Sequence, residues 1–214
     1  MSELLNSNFE ITQEQKDLVF GTSLGDAFLF TKTGKAGRYE AAHSAKQQDY
    51  LFHIYEILKI FSGSALYTCK GTNKNVHFYY RFATKTHDFF HFYVNIFYTL
   101  NPENNRYIKD VPSLDVLNEH LIPRAIAYWF MDDGAFYWGC LICTDSFSME
   151  GLIRLKTVFL EKFNIVVSFK KIIVKDVIKS HRLYINPENC EKFVPLIKPY
   201  MLPSIFYKLP KKYR

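Results

Sequence analysis

The chain has 214 residues, 48% hydrophobic and 17% aromatic, which excludes a disordered protein and supplies side chains for a sizeable core. Lysine and arginine number 27 against 21 acidic residues, a net charge of +6, and most of the cations are interleaved with Phe, Tyr and His. Such charge suits a polyanion held on a structured surface, and the C-terminal Lys211, Lys212 and Arg214 read as a solvated end. Cys69, Cys140, Cys143 and Cys190 are too scattered for a secreted disulfide framework. Cys140 and Cys143 form a CxxC with no second ligand pair, so they are either half of a zinc site or buried strand cysteines. No segment approaches the roughly 20 apolar residues of a membrane span, and the N-terminus resembles neither a secretory signal nor a transit peptide. The expectation is a soluble protein in a reduced compartment, with no membrane partner.

Thr12 followed by Gln15 predicts a capping box, with a helix continuing from Lys16 to Leu24 and closed by Gly25-Asp26. Phe28 to Phe30 alternates as a strand, residues 33–37 have hairpin-loop chemistry, and Arg38 to His43 returns. Tyr50 to Phe61 carries apolar residues at helical spacing and stops at Ser62-Gly63. A second hairpin, Leu66 to Lys70 and Val76 to Ala83, turns around Gly71-Thr72-Asn73, and an amphipathic helix runs from Thr86 to Tyr98.

The second half repeats this order. Pro123 starts a helix that ends in Met131-Asp132-Asp133-Gly134. Phe136 to Thr144 is strand-like, Leu152 to Phe163 helical, and Val166 to Val174 with His181 to Ile185 forms another hairpin. Asn186-Pro187 caps a last helix reaching about Ile197. Asp26 and Asp133 are 107 positions apart (133 less 26), half the chain. The run from Tyr107 to Pro112 also parallels that from Phe206 to Pro210. A repeat of this size predicts an α+β fold of two αββαββα units about a pseudo-twofold axis. Residues 1–100 form the first unit, 101–121 the linker and 122–214 the second.

The runs Val19-Phe20-Gly21-Thr22-Ser23-Leu24-Gly25-Asp26-Ala27 and Ile126-Ala127-Tyr128-Trp129-Phe130-Met131-Asp132-Asp133-Gly134 resemble the two motifs of single-chain LAGLIDADG homing endonucleases. The second is similar to the motif of intron-encoded organellar members. The run from His43 to Tyr50 resembles the lead into the next helix of that subfamily. The resemblance implies that the motif helices pack side by side. Gly21 and Gly25, four apart on one helical face, would permit that approach. Tyr128 stands where a small residue is usual, so asymmetric packing is expected.

Each motif helix ends in a carboxylate, Asp26 or Asp133, at the negative end of its dipole, an unfavourable placement of about 0.3–1 kcal/mol. Two converging carboxylates compound that strain, and a divalent cation relieves it. The expectation is Mg²⁺, with Mn²⁺ or Ca²⁺ as substitutes, held by Asp26 and Asp133 as the catalytic pair. Asp132, one slot earlier, either tunes metal affinity or faces solvent. The resemblance places Lys109 and Lys208 beside the metals to orient solvent or stabilise phosphorane charge; the alternative is lysines that position phosphate or simply lie at the surface. It also offers His43 and Asp145, at matching post-strand positions, as polar residues near the metals. Lys32, Lys35, Arg38, Lys70, Lys74, Arg81, Lys170, Lys171 and Arg182 lie on or beside the hairpins and are the expected DNA contacts. The family likeness implies a monomer that cuts double-stranded DNA at a long asymmetric site, leaving 3′ overhangs, to promote intron homing. It further implies a mitochondrial or chloroplast setting. The rival reading on the same fold is a group I intron maturase that binds intron RNA.

Overall fold

The computed structural model describes residues 10–31, 34–63, 65–70, 78–104 and 106–214, without the side chains of Cys69, Lys70 and Phe78. Helix α1 (Gln13–Leu24) opens with the expected capping box. Gln15 N–H donates to the Thr12 hydroxyl, and Thr12 N–H donates to the Gln15 amide oxygen. It is followed by β1 (Phe28–Thr31), β2 (Gly37–Ser44), α2 (Gln48–Leu58), β3 (Tyr67–Lys70), β4 (Phe78–Ala83) and α3 (Asp88–Phe97). The antiparallel strands lie in the order β1-β2-β4-β3.

A two-stranded ribbon, β5 (Tyr98–Asn101) and β6 (Arg106–Lys109), and α4 (Leu114–His120) come next. Most of the stretch expected to be linker is therefore structured. Leu117 and Leu121 are fully buried, and the Tyr98 side chain reaches back to accept the Leu29 N–H.

The second series is α5 (Pro123–Asp133), β7 (Gly134–Phe136), β8 (Cys140–Ile142), α6 (Met149–Phe163), β9 (Ser168–Val174), β10 (Val177–Ile185) and α7 (Pro187–Ile197), with 3₁₀ turns behind it. Its sheet has the order β7-β8-β10-β9, the same topology as the first. Lys175 and Asp176 both take positive φ, 50° and 62°, the two-residue turn whose twist suits a β-hairpin. No helix among the described residues is long and apolar enough to cross a membrane.

The motif helices α1 and α5 pack against each other through the centre of the molecule. Both are buried almost all round, Leu18 to Leu24 on one and Ala125 to Asp132 on the other. A Cβ at position 21 would lie 2.2 Å from the Ala125 carbonyl oxygen and 2.8 Å from the Tyr128 Cβ. The glycine is thus what lets Tyr128 sit on the opposite helix, the asymmetry anticipated from the motifs. Tyr128 is held by both its ends. Tyr50 donates its hydroxyl to the Tyr128 carbonyl at 3.1 Å, and His53 Nε2 is 3.0 Å from the Tyr128 hydroxyl. Arg124 reaches across to the buried Asp17 at 3.7 Å.

Gly21→Ala is expected to destabilise the protein by about 1–3 kcal/mol, since the added methyl meets backbone that cannot swing aside. The urea midpoint at constant m-value measures it; an unchanged midpoint would mean that the helices can separate freely.

Candidate metal and catalytic centre between the motif helices

At the C-terminal ends of α1 and α5 lies a cleft of about 200 Å³, lined in part by Asp26, Lys109, Asp133, Cys143 and Asp145. The two expected carboxylates therefore share one cleft. Burial, with the Asp26 charge beside it, pushes the Asp133 carboxyl up to about 7, against the pull of Lys109 and Lys208.

The two lysines occupy equivalent places on different backbone. Lys109 ends strand β6, whereas Lys208 ends a 3₁₀ turn, Pro203–Lys208. Lys109 Nζ donates to the Gly25 carbonyl at 2.7 Å and the Ala27 carbonyl at 3.4 Å. Lys208 Nζ donates to the Met131 carbonyl at 2.6 Å and to the Asp132 carbonyl. Each ammonium therefore answers carbonyls left unpaired at the end of its own half's motif helix and opposes the negative end of that dipole. Burial lowers both lysine pKa values, while Asp26, Asp132 and Asp133 act to raise them.

Asp132 does not face solvent. Its carboxylate is buried, and Oδ2 accepts the Asp26 N–H of the opposite half at 3.0 Å. A Cβ at Gly25 would lie 2.3 Å from that same oxygen, so the glycine of one motif makes room for the acid of the other. The remaining oxygen, Oδ1, is buried with no hydrogen-bond partner and lies 3.6 Å from His43 Nε2. Burial, then the charges of Asp26 and Asp133, hold the Asp132 pKa well above the usual carboxylate range. Burial also lowers the pKa of His43. Among the described residues, ligand atoms of Asp26, His43 and Asp132 lie within 4.8 Å of one another. Asp132 is the residue whose role the sequence left open. The signal was its position: it fills the motif slot that Gly25 fills in the first half.

The matching of His43 with Asp145 is corrected by strand register. Ala41 pairs with Phe82, and Ile142 with Leu183, at corresponding places in the two sheets. Counting two residues on, His43 corresponds to Thr144, and Asp145 to Ser44. Thr144 is buried and donates its hydroxyl to the His181 carbonyl. Asp145 accepts from Arg182 Nε at 2.8 Å and from the Ser180 hydroxyl at the cleft wall. The CxxC also separates: Cys140 is buried in β8, and Cys143 reaches the cleft.

On the open face of the first sheet, Arg38 and Arg81 both pair with Glu40. On the second, Lys170 and Arg182 are cross-strand partners. Lys171 pairs with His181 on the opposite face of the ribbon, because successive strand residues alternate, so the two neighbouring lysines face different ways. Lys35 is exposed in the β1–β2 connection. Lys32, Lys74 and the side chain of Lys70 lie outside the described residues, as does the turn at 71–73.

The profile of the LAGLIDADG DNA endonuclease family matches residues 16–193. The chain belongs to that family. It is an endodeoxyribonuclease on the homing-endonuclease fold. It is 36% identical over 211 residues to the DNA endonuclease I-ChuI of Chlamydomonas applanata, covering 93% of this chain and 95% of that protein. It is 26% identical over 216 residues to the cytochrome b mRNA maturase bI2 of Debaryomyces hansenii, covering 97% and 78% of the two chains. The structure of the homing endonuclease I-WcaI bound to its DNA recognition sequence superposes with a TM-score of 0.81 at 25% identity, over 94% of this chain and 88% of that one. I-DmoI, solved in complex with DNA and Mn, shares the fold at a TM-score of 0.55 and 14% identity, over 89% of this chain and 99% of that one.

A carboxyl whose pKa is raised on folding binds its proton more tightly in the folded state, so its contribution to stability is greatest at low pH. For Asp133 that contribution is lost as pH climbs from about 4, the unfolded value, towards about 7. In metal-free buffer the difference in Tm between wild type and Asp133→Asn should therefore shift against the wild type across that window. A difference that stays flat with pH would contradict the shared-cleft geometry.

Proposed function

We propose that this endonuclease hydrolyses one phosphodiester in each strand of a long, asymmetric duplex, with Asp26 and Asp133 holding divalent cations at the cleft between the motif helices. The observation that carries the reading is the pair of carboxylates, one from each half, on one cleft floor. The fit to a hard cation rests on the donor set. Asp26 and Asp133 line the same cleft, burial and then the Asp26 charge hold the Asp133 pKa high, and ligand atoms of Asp26, His43 and Asp132 lie within 4.8 Å of one another. Mg²⁺ is the ion we assign, with Mn²⁺ or Ca²⁺ as substitutes. A bound divalent cation supplies Lewis acidity, acidifying a water and neutralising charge on the scissile phosphate and leaving oxygen.

The residues of the chain do the positioning. Asp26 and Asp133 bind the ions, and Lys109 and Lys208 fix the backbone that carries them. Asp132 locks the Asp26 backbone across the interface, so each half helps build the other's site. His43 and Asp145 line the surroundings of the carboxylates in different ways, one buried behind them and the other tied to Arg182. Arg38, Arg81, Lys170 and Arg182 supply open-face contacts to phosphates and base edges. Lys35 adds one from its loop, and Lys32, Lys70 and Lys74 complete the set, while Lys171, on the other face of the ribbon, is left out of it. We take residues 1–100 and 122–214 as the two half-site units, joined by 101–121 in a monomer. Non-identical halves suit a non-palindromic target. We further propose 3′ overhangs as the product, and a reading frame within an organellar intron whose homing the enzyme promotes. The relatives include an intron-encoded endonuclease of Dictyostelium discoideum.

Likeness to a protein named as a maturase, across nearly the whole chain, favours a second activity on intron RNA. An in vitro splicing assay with the host intron separates the two activities, because a nuclease alone leaves splicing unchanged.

Asp26→Asn and Asp133→Asn should each abolish double-strand cleavage of a plasmid carrying the intron-less allele in Mg²⁺, while duplex binding in Ca²⁺ changes little. Full cleavage by both variants would remove the metal assignment.

A further inference from the structure

The β7–β8 hairpin leaves the cleft directly, since β7 starts at the residue after Asp133. Its turn is Tyr137-Trp138-Gly139. Trp138 is 78% exposed and has φ of +52°, a left-handed conformation that a bulky L-residue adopts only against steric resistance. The adjacent glycine does not take over that conformation. A Cβ at position 139 would lie 2.3 Å from the Ile185 carbonyl oxygen and 3.2 Å from the Tyr184 ring. Gly139 is therefore needed for close approach of the hairpin to β10, and the left-handed residue is the tryptophan. The first half offers an internal comparison. Among the described residues of its β1–β2 connection, Gly34 takes the left-handed conformation, φ +70°, with no described atom within 4 Å of where a Cβ would lie and the exposed Lys35 beside it. The same fold thus places a glycine and a lysine where the second half spends a large, exposed indole.

The surroundings of the turn indicate what the indole meets. Tyr137 packs edge-on to Tyr184, with ring centroids 6.5 Å apart, and Lys170 Nζ stands 3.5 Å over the Tyr137 ring. Lys170 is the cross-strand partner of Arg182, and Arg182 is bound to Asp145 at the cleft wall. A continuous cationic and aromatic surface therefore runs from the cleft to the foot of Trp138. Three strand residues at about 3.3 Å each and the turn beyond them place the tip on the order of 10–15 Å from Asp133, a few base-pair steps of about 3.4 Å.

We propose that Trp138 is a DNA-contact residue of the second half-site. Its indole packs on the apolar wall of the groove, the deoxyribose rings and thymine methyl groups, a few base pairs from the cleaved bonds. The proposal rests on the endonuclease reading above. The backbone strain brings no burial in return within the free protein, where the apolar ring lies in water; covering the ring with duplex supplies the burial that offsets it.

Trp138 can be watched directly, because the chain has two tryptophans and the other, Trp129, is fully buried. The probe is duplex DNA enriched from a randomised pool on wild-type protein in Ca²⁺. Saturation with that duplex should shield tryptophan fluorescence from acrylamide. Trp138→Gly, which relieves the left-handed strain, should hold or raise Tm yet weaken binding of the same duplex on the order of tenfold. Trp138→Phe should recover most of that loss. If wild-type protein binds and cuts the duplex while acrylamide quenching is unchanged, the contact is overturned and the endonuclease reading stands. Loss of binding together with a lowered Tm in Trp138→Gly, with no recovery by Trp138→Phe, also overturns it in favour of a structural turn residue. A wild-type protein that enriches no duplex at all would remove the endonuclease reading itself.

Discussion

The structure depends on the face-to-face contact of α1 and α5. The contact runs backbone against side chain, with Gly21 and Gly25 opposed to Ala125, Tyr128 and Asp132. At that separation the helix ends cannot avoid one another, so Asp26 and Asp133 are delivered to one cleft, each at the negative end of its own helix dipole. The electrostatic cost of that arrangement is built into the fold and is partly met by two half-buried ammonium groups on the helix-end carbonyls. Stability and activity are in tension here in a simple way: the feature that strains the free protein is the one that prepares it for a cation.

Each half contributes to the other's chemistry. Asp132 belongs to the second motif but holds the backbone of Asp26, and Lys109, on the ribbon between the two series, bonds to first-half carbonyls but acts electrostatically on Asp133 ahead of the other acids. The sheets extend this division outwards. Both have the same strand order, yet the first presents arginines bridged by Glu40 and the second presents Lys170, Arg182 and an aromatic turn. Shared topology with unlike surfaces suits a reader of unlike half-sites.

Much of this was legible in the residues. The capping box at Thr12, the start at Pro123 and the Asn186 cap act over three or four residues, and all occur where local chemistry puts them. The repeat and its paired lysines could be seen because duplication leaves like residues at like spacing. What escaped is set by contacts distant in sequence. The β5–β6 ribbon is a local hairpin, Tyr98 paired with Lys109, whose strand-forming residues read as linker; its place against the first sheet is set by Tyr98, which accepts the N–H of Leu29, 69 positions earlier. The partner of His43 depends on sheet register, where a displacement by one residue exchanges the two faces. The lysines at 109 and 208 were placed near the carboxylates, but their bonds to helix-end carbonyls require knowing where each helix stops in space. The burial of Asp132 was within reach, since it occupies the slot of Gly25 and a side chain entering a notch is the simplest meaning of that exchange.

That notch has a consequence for how such a molecule can change. Two copies of the second half would oppose tyrosine to tyrosine and one buried acid to another, and two copies of the first would leave a void where those groups now fit. Neither half can pair with its own twin, so the molecule has left behind any symmetric ancestor's freedom to swap partners. The motif helices must be inherited, or exchanged by recombination, as one matched set.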